Sequence, residues 1–287
     1  MKKLFFIICC LLFLCACKEK KNVDITEIND FVYDDISQFN FDIHSKEYLL
    51  VRLSDFKVLY SKEADKKIYP ASLTKIMTLD TVLSLVPNLD DVSSISQEQI
   101  NLLIEENASI AYLEADYEYT IRELLYALIL PSGADAAVAL ENYFINHGMN
   151  LVEEMNKQLK SIGCDDTNFV NTTGLHDDNH YTTLNDILKY TIDVLSYEEG
   201  RKILESFTYT TKDGILLFST LLYIQNDCVE VLGGKTGFTD ESGQSILVLY
   251  RAKNRSYILI TANAPGDPSF DQYWHYQDAI EIMNNLY

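Results

Sequence analysis

Tyr69-Pro70-Ala71-Ser72-Leu73-Thr74-Lys75-Ile76-Met77-Thr78 sets a serine and a lysine three residues apart, just behind a proline and at the head of an apolar run. Leu73, Ile76, Met77, Leu79, Val82, Leu83 and Val86 recur at helical spacing, so a buried helix is expected to begin close to Ser72. Pro70 fits such a start, where a missing N–H is no loss. Positions three apart on a helix share a face, about 5–6 Å from each other, which brings the Lys75 amine to the Ser72 hydroxyl. A serine hydroxyl becomes a nucleophile when a base takes its proton. Lysine can be that base where burial or a nearby cation depresses its pKa. Free N–H groups at a helix start can stabilise an oxyanion. Ser-x-x-Lys alone is a common pattern of solvated helices; Pro70 and the apolar residues behind it set this one apart.

Outward from this segment, residues 48–53 and 57–60 are β-prone and separated by Ser54-Asp55, the pattern of a hairpin. Thr120-Ile121-Arg122-Glu123 is a capping box, opening a helix through Leu124, Leu125 and Leu128 to Pro131. A third helix starts near Asp135, and residues 150–162 form an amphipathic one. A polar loop over 164–183 leads to a further helix. The last third reads as strands at 229–239, 244–250 and 257–263, with Asn254-Arg255 at a turn, then a closing helix at 273–286. Strands at both ends with helices between them predict an α/β fold of the α+β kind, an antiparallel sheet whose first strands pair with its last, with helices on both faces.

Two further segments carry chemistry. Ser132-Gly133-Ala134-Asp135 lies between two predicted helices, where Ser132 can either relay a proton beside Lys75 or merely cap a turn. Gly233-Gly234-Lys235-Thr236-Gly237-Phe238-Thr239 falls on a predicted strand. There Lys235 offers a cation, and Thr236 and Thr239 offer hydroxyls, to a substrate carboxylate. A cation at Lys235 would help keep Lys75 neutral. Gly234 and Gly237 are expected to clear room for an extended peptide along the strand edge. A phosphate loop is excluded, since the position five residues before its Gly-Lys pair is Val229.

Taken together and in this order, the three motifs resemble the Ser-x-x-Lys, Ser-x-Asn and Lys-Thr-Gly set of penicillin-binding proteins and serine β-lactamases. Residues 69–78, Leu128-Ile129-Leu130-Pro131-Ser132-Gly133 with Asp135-Ala136-Ala137, and Asn171-Thr172-Thr173-Gly174-Leu175-His176-Asp177-Asp178-Asn179-His180-Tyr181-Thr182-Thr183 are similar to the D-alanyl-D-alanine carboxypeptidase family. The resemblance runs over roughly residues 46–287. It implies a five-stranded antiparallel sheet plus a helical subdomain, as in β-lactamases and transpeptidases. It also implies that Ser72 attacks the penultimate D-alanine carbonyl with Lys75 as base. The oxyanion would rest on the N–H groups of Ser72 and Phe238, Ser132 would pass the proton, and Lys235, Thr236, Gly237, Phe238 and Thr239 would bind the departing D-alanine. No metal or organic cofactor is implied. The partners implied are peptidoglycan stem peptides, with β-lactams as covalent inhibitors.

The chain departs from the family pattern at Ala134, where Asn is usual, and in having no Lys or Arg after Arg255. The carboxylate-binding role then falls to Lys235 or Arg251. Losing one hydrogen bond to a charged group is worth about 1.5–3 kcal/mol, or tenfold to a hundredfold in rate. Alternatives to a carboxypeptidase are a D,D-endopeptidase and a weakly active or inactive wall-sensing, penicillin-binding lipoprotein. A rapidly deacylating β-lactamase does not fit, because no Glu-x-x-Leu-Asn occurs between the second and third motifs.

The composition agrees with a globular chain: 287 residues, 47% hydrophobic, with a formal net charge of −20. Such charge argues against nucleic acid and against electrostatic adhesion to anionic membranes. Lys2 and Lys3 precede an apolar run over 4–14, too short to span a bilayer and suited to a signal peptide. Leu14-Cys15-Ala16-Cys17 resembles a bacterial lipobox, which implies a leader over 1–16, a lipid on Cys17, a tether over 17–44 and a penicillin-binding D,D-peptidase domain over 45–287. The expected location is extracytoplasmic, on the bacterial membrane through that lipid. Of six cysteines, Cys164 and Cys228 fall in the folded part outside any CxxC pair, and both are expected as buried thiols.

Overall fold

The computed structural model describes residues 42–224 and 228–285. The expected leader, Cys17 and the tether up to residue 41 lie outside these residues. In chain order the elements are β1 (Glu47–Arg52), β2 (Lys57–Lys62), α1 (Thr74–Leu85), β3 (Val92–Ser93), α2 (Gln97–Glu105), β4 (Tyr119–Thr120), α3 (Ile121–Ile129), α4 (Ala134–Asn146), α5 (Leu151–Ser161), α6 (Leu184–Ser196) and α7 (Glu198–Leu204). They continue with β5 (Thr208–Thr210), β6 (Leu216–Phe218), β7 (Glu230–Thr239), β8 (Gly243–Ala252), β9 (Arg255–Ala264) and α8 (Trp274–Asn284). The main sheet is antiparallel and five-stranded, ordered β2-β1-β9-β8-β7, so the first hairpin does pair with the last strands.

Its residues explain why both faces are covered. Successive side chains of a strand point to opposite faces. Leu49, Val51, Leu247, Leu249, Ile258 and Ile260 join the core shared with the central helices. Their neighbours Leu50, Val248, Tyr250 and Leu259 pack on the other face with Ala279, Ile282 and Met283 of α8. Strands buried on both faces read as near-continuous apolar runs, which is why β8 and β9 were so plain in sequence. Lys253 and Asn254, both at positive φ (48° and 60°), make the two-residue turn between them.

α1 is buried on every side: Thr78, Asp80 and Thr81 are as enclosed as Ile76 and Leu79. It packs against α3, α5, α6 and α7. Two of its buried hydroxyls are satisfied by backbone, Thr81 Oγ1 donating to Met77 O at 3.0 Å within the helix and Thr78 Oγ1 to Thr172 O at 2.9 Å in the loop beside it. The amino end of this central helix therefore delivers Ser72 and Lys75 to the boundary between the sheet and the helical part. Among the described residues no helix is long and apolar enough to cross a membrane.

Two expectations are corrected. His44, expected at the end of the tether, belongs to the folded domain: it stacks on Trp274 with ring centroids 4.2 Å apart, and its backbone N–H donates to Asp278 Oδ1 at 2.9 Å. The buried Asp278 carboxylate also accepts from Ser45 N–H at 2.7 Å, which fastens the first strand to α8. Cys228 is exposed, because it lies in the approach to β7 outside either core, while Cys164 is buried as expected.

Candidate active site

The nucleophile segment is a 3-10 turn over Ala71–Leu73 that runs into α1, so the α-helix proper starts at Thr74. Ala71 holds a left-handed φ of 46°, a strained conformation for a residue with a Cβ. Three groups fix it. Thr74 Oγ1 donates to Ala71 O at 2.8 Å, and it also meets His180 Nε2 at 2.7 Å. Val170 N–H donates to His180 Nδ1 at 3.1 Å, which makes Nδ1 the acceptor and leaves the proton on Nε2 for Thr74. Burial lowers the His180 pKa to about 4, so the ring stays neutral and keeps that tautomer. Gly174, at φ 82°, lies so close to the Ala71 carbonyl that a Cβ would overlap it and stand 2.9 Å from Ser72 N.

Lys75 is buried beneath this turn. Its Nζ donates to Ser72 Oγ at 2.9 Å and to Thr173 O at 2.6 Å. Asn171 shapes that loop: its Oδ1 accepts from Thr173 N–H at 3.2 Å and Gly174 N–H at 2.7 Å. Burial lowers the Lys75 pKa from 10.5 to about 7, with the Asp135 carboxylate opposing the shift. Lysine at that value is a base matched to neutral pH.

The second motif is held by its own acid. Asp135 is fully buried, and its carboxylate accepts from Ala111 N–H at 2.8 Å, Leu113 N–H at 3.1 Å and Ala136 N–H at 2.9 Å. Ala134 N–H donates to Ser109 O at 2.7 Å. Ser132, at φ 67°, is thereby turned so that its Oγ accepts from Lys235 Nζ at 2.8 Å. Burial drives the Lys235 pKa down, and the nearby Lys75 charge adds to it. Of the two causes expected to depress the Lys75 pKa, burial is the principal one.

β7 is the edge strand carrying the third motif, and its glycines act differently from the expectation. A Cβ at Gly234 would overlap Leu247 O, and one at Gly237 would lie 3.1 Å from Pro70 O and 3.2 Å from Ser72 N. They let β7 close on β8 and on the nucleophile turn, instead of clearing a peptide's path. Phe238 and Thr239 line a cleft of about 780 Å³ with Ser72, Lys75, Ala134 and Asn171. Thr239 Oγ1 accepts from Ser242 N–H at 3.1 Å, whereas Thr236 Oγ1 is bonded to Thr220 Oγ1 at 2.8 Å. Arg251 is excluded from the site: it pairs with Glu230 at 2.8 Å, at the far end of the β7–β8 ladder from Thr239 and Gly243.

Residues 34–266 match the family model described as D-alanyl-D-alanine carboxypeptidase. The chain belongs to the D-alanyl-D-alanine carboxypeptidase family. The D-alanyl-D-alanine carboxypeptidase DacF of Bacillus subtilis is 31% identical over 231 residues, covering 77% of this chain and 57% of that protein. The D-alanyl-D-alanine endopeptidase of Escherichia coli is 26% identical, covering 84% and 76%. The crystal structure of the Streptomyces K15 DD-transpeptidase has a TM-score of 0.73 at 26% identity, over 84% of this chain and 96% of that one. This chain spans little more than half of DacF and of the Haemophilus influenzae carboxypeptidase DacA.

Within this D-alanyl-D-alanine carboxypeptidase family chain, three motifs distant in sequence converge around Ser72. Sequence reasoning missed the Thr173 carbonyl, Asn171, His180 and the Asp135 clamp as parts of the site. His180 and Asn171 stood inside the quoted loop, but the bond of His180 to Thr74 and those of Asn171 to Thr173 and Gly174 are visible only in the fold.

Proposed function

We propose that this protein is a serine-type D-alanyl-D-alanine carboxypeptidase that removes the terminal D-alanine of peptidoglycan stem peptides through an acyl-enzyme on Ser72. The observation that carries this reading is the buried Lys75 amine 2.9 Å from Ser72 Oγ, in a cleft walled by Phe238 and Thr239. A neutral Lys75 keeps one N–H on Thr173 O and turns its lone pair to the Ser72 hydroxyl proton. Ser72 Oγ then bonds to the carbonyl carbon of the penultimate D-alanine. The oxyanion is met by the N–H groups of Ser72 and Phe238, which costs little reorganisation in a pre-formed turn. Because Lys235 already donates into Ser132 Oγ, the Ser132 hydroxyl proton is free to go to the leaving amine nitrogen as the C–N bond breaks, and Lys75 returns to Ser132 the proton it took from Ser72. Lys235 and Thr239 receive the D-alanine carboxylate, and that anion restores the charge which burial takes from Lys235. Water hydrolyses the ester. β-Lactams acylate Ser72 in the same way and leave slowly. In this reading Cys17 carries the lipid that holds the domain outside the cytoplasm on the bacterial membrane, and the leader over 1–16 is removed.

The test is labelling with a fluorescent penicillin, followed by incubation with a diacetylated L-Lys-D-Ala-D-Ala tripeptide. Labelling lost in Ser72→Ala, together with D-alanine release, is the expected result. Labelling without release favours the wall-sensing reading that Ala134 suggests. An unlabelled wild-type protein rejects the active serine altogether. Ala134→Asn would place a carboxamide on the cleft wall beside Lys75. Acylation is expected to hold or rise by up to about tenfold, the worth of one such hydrogen bond; a sharp fall would mean the cleft is built around alanine.

A further inference from the structure

The Ser72 cleft is walled by acids. Glu106, Asp177, Asp240 and Glu241 line it, and the one Lys or Arg among its lining residues is Lys75. Glu106, Asp240 and Glu241 are exposed and Asp177 half-buried, so their carboxylates face a ligand in the cleft. This is not the uniform acidity of a chain of net charge −20. On the other side of Glu241 a separate hollow of about 390 Å³ is lined by Lys46, Lys66 and Lys67. That hollow also has Asp178 and Glu241 on its wall, so the two differ in balance: three lysines stand with two acids there, whereas four acids stand with one lysine around Ser72.

The position of the acids along β7 says which part of a peptide meets them. β7 presents Lys235 first, then Phe238 and Thr239, and the turn into β8 begins with Asp240 and Glu241. A peptide whose carboxylate rests near Lys235 and whose scissile carbonyl lies at the Phe238 N–H runs antiparallel to β7. At about 3.4 Å per residue, the residue before the penultimate one then lies past Thr239, over Asp240 and Glu241, with Asp177 across the cleft. We propose that the cleft selects donor peptides whose residue preceding D-alanyl-D-alanine carries a free cationic amine, and disfavours those with a carboxylate there. The proposal rests on the carboxypeptidase reading and adds a substrate class to it. The cleft is a ligand site by virtue of Ser72 and Lys75; the acids set its preference.

Charges on the walls of a cleft focus their field on a ligand, and salt screens it. The experiment compares kcat/KM for D-alanine release from three peptides: Nα-acetyl-L-Lys-D-Ala-D-Ala with a free ε-amine, its Nε-acetyl form, and Nα-acetyl-L-Glu-D-Ala-D-Ala. At low salt the free amine is expected to lead, with about tenfold separating the lysyl and glutamyl peptides, and high salt is expected to compress the order. In the double variant Asp240→Asn, Glu241→Gln the lysyl peptide should lose and the glutamyl peptide gain. Release from all three at equal rates, or fastest from the glutamyl peptide, overturns the selectivity while leaving the carboxypeptidase reading intact. Release from none of them, with Ser72 unlabelled by penicillin, overturns both.

Discussion

Lys75→Met is expected to slow acylation of Ser72 by benzylpenicillin by about 10²- to 10⁴-fold, the contribution of a positioned general base. The amine is buried, and Ser72 Oγ and Thr173 O are its hydrogen-bond partners, so methionine fills a similar volume while removing the lone pair. The wild-type rate should also fall with acidity through a pKa of about 7, because only the neutral amine can take the hydroxyl proton. Linkage fixes the sign for stability. The amine has a pKa of 10.5 when unfolded and about 7 when folded, so between those values the unfolded chain holds a proton that the folded protein does not. Over that window this group makes stability rise with pH, and below about 7 it adds no further slope. Thermal unfolding of Lys75→Met should accordingly lose part of the alkaline rise, with the remainder left to Lys235, whose pKa is lowered in the same direction. A variant that acylates at a rate close to the wild type, or a wild-type profile flat across neutrality, would remove Lys75 from the mechanism.

The fold was legible where burial and sequence period agree. The strand expected at 257–263 is β9, at Arg255–Ala264, and the Thr120–Glu123 capping box opens α3 as read. α2 was missed even though Ser96 and Gln99 form a capping box as complete as that of α3. Its Leu102 and Ile104 are exposed, so its apolar pattern blurs into a loop. The hairpin of β5 and β6 escaped for a related reason: its strands have three residues each and bury Leu217 alone. At the site, side chains with chemistry could be read and backbone groups could not. Ser72, Lys75, Ser132 and Lys235 announce themselves by type and spacing. The carbonyl of Thr173 carries no such mark, and neither do the N–H groups of Ala111 and Leu113 that hold Asp135. Glycines were read as gaps for a substrate, when at Gly234 and Gly237 the gap is already filled by the protein's own backbone.

That lesson makes Gly174 the sharpest test of the geometry around the nucleophile. Alanine there meets two penalties at once. A residue with a Cβ at φ 82° loses about 1–2 kcal/mol in the left-handed region. The new methyl also needs the space of the Ala71 carbonyl, which accepts from Thr74 Oγ1, itself held by His180. The turn must shift, and Ser72 with it. A displacement near 1 Å at a reacting group can cost about 10²-fold, so Gly174→Ala is expected to lose at least that much in penicillin acylation and about 2–4 kcal/mol in stability. Gly148→Ala separates the two penalties: Gly148 has a φ of 72°, and a Cβ there would meet nothing within 4 Å. It should lose only the left-handed penalty of about 1–2 kcal/mol and acylate as the wild type does. Equal acylation by both variants would mean that the Ala71–Ser72 turn does not depend on the loop behind it, and that the strained turn is held by α1 alone.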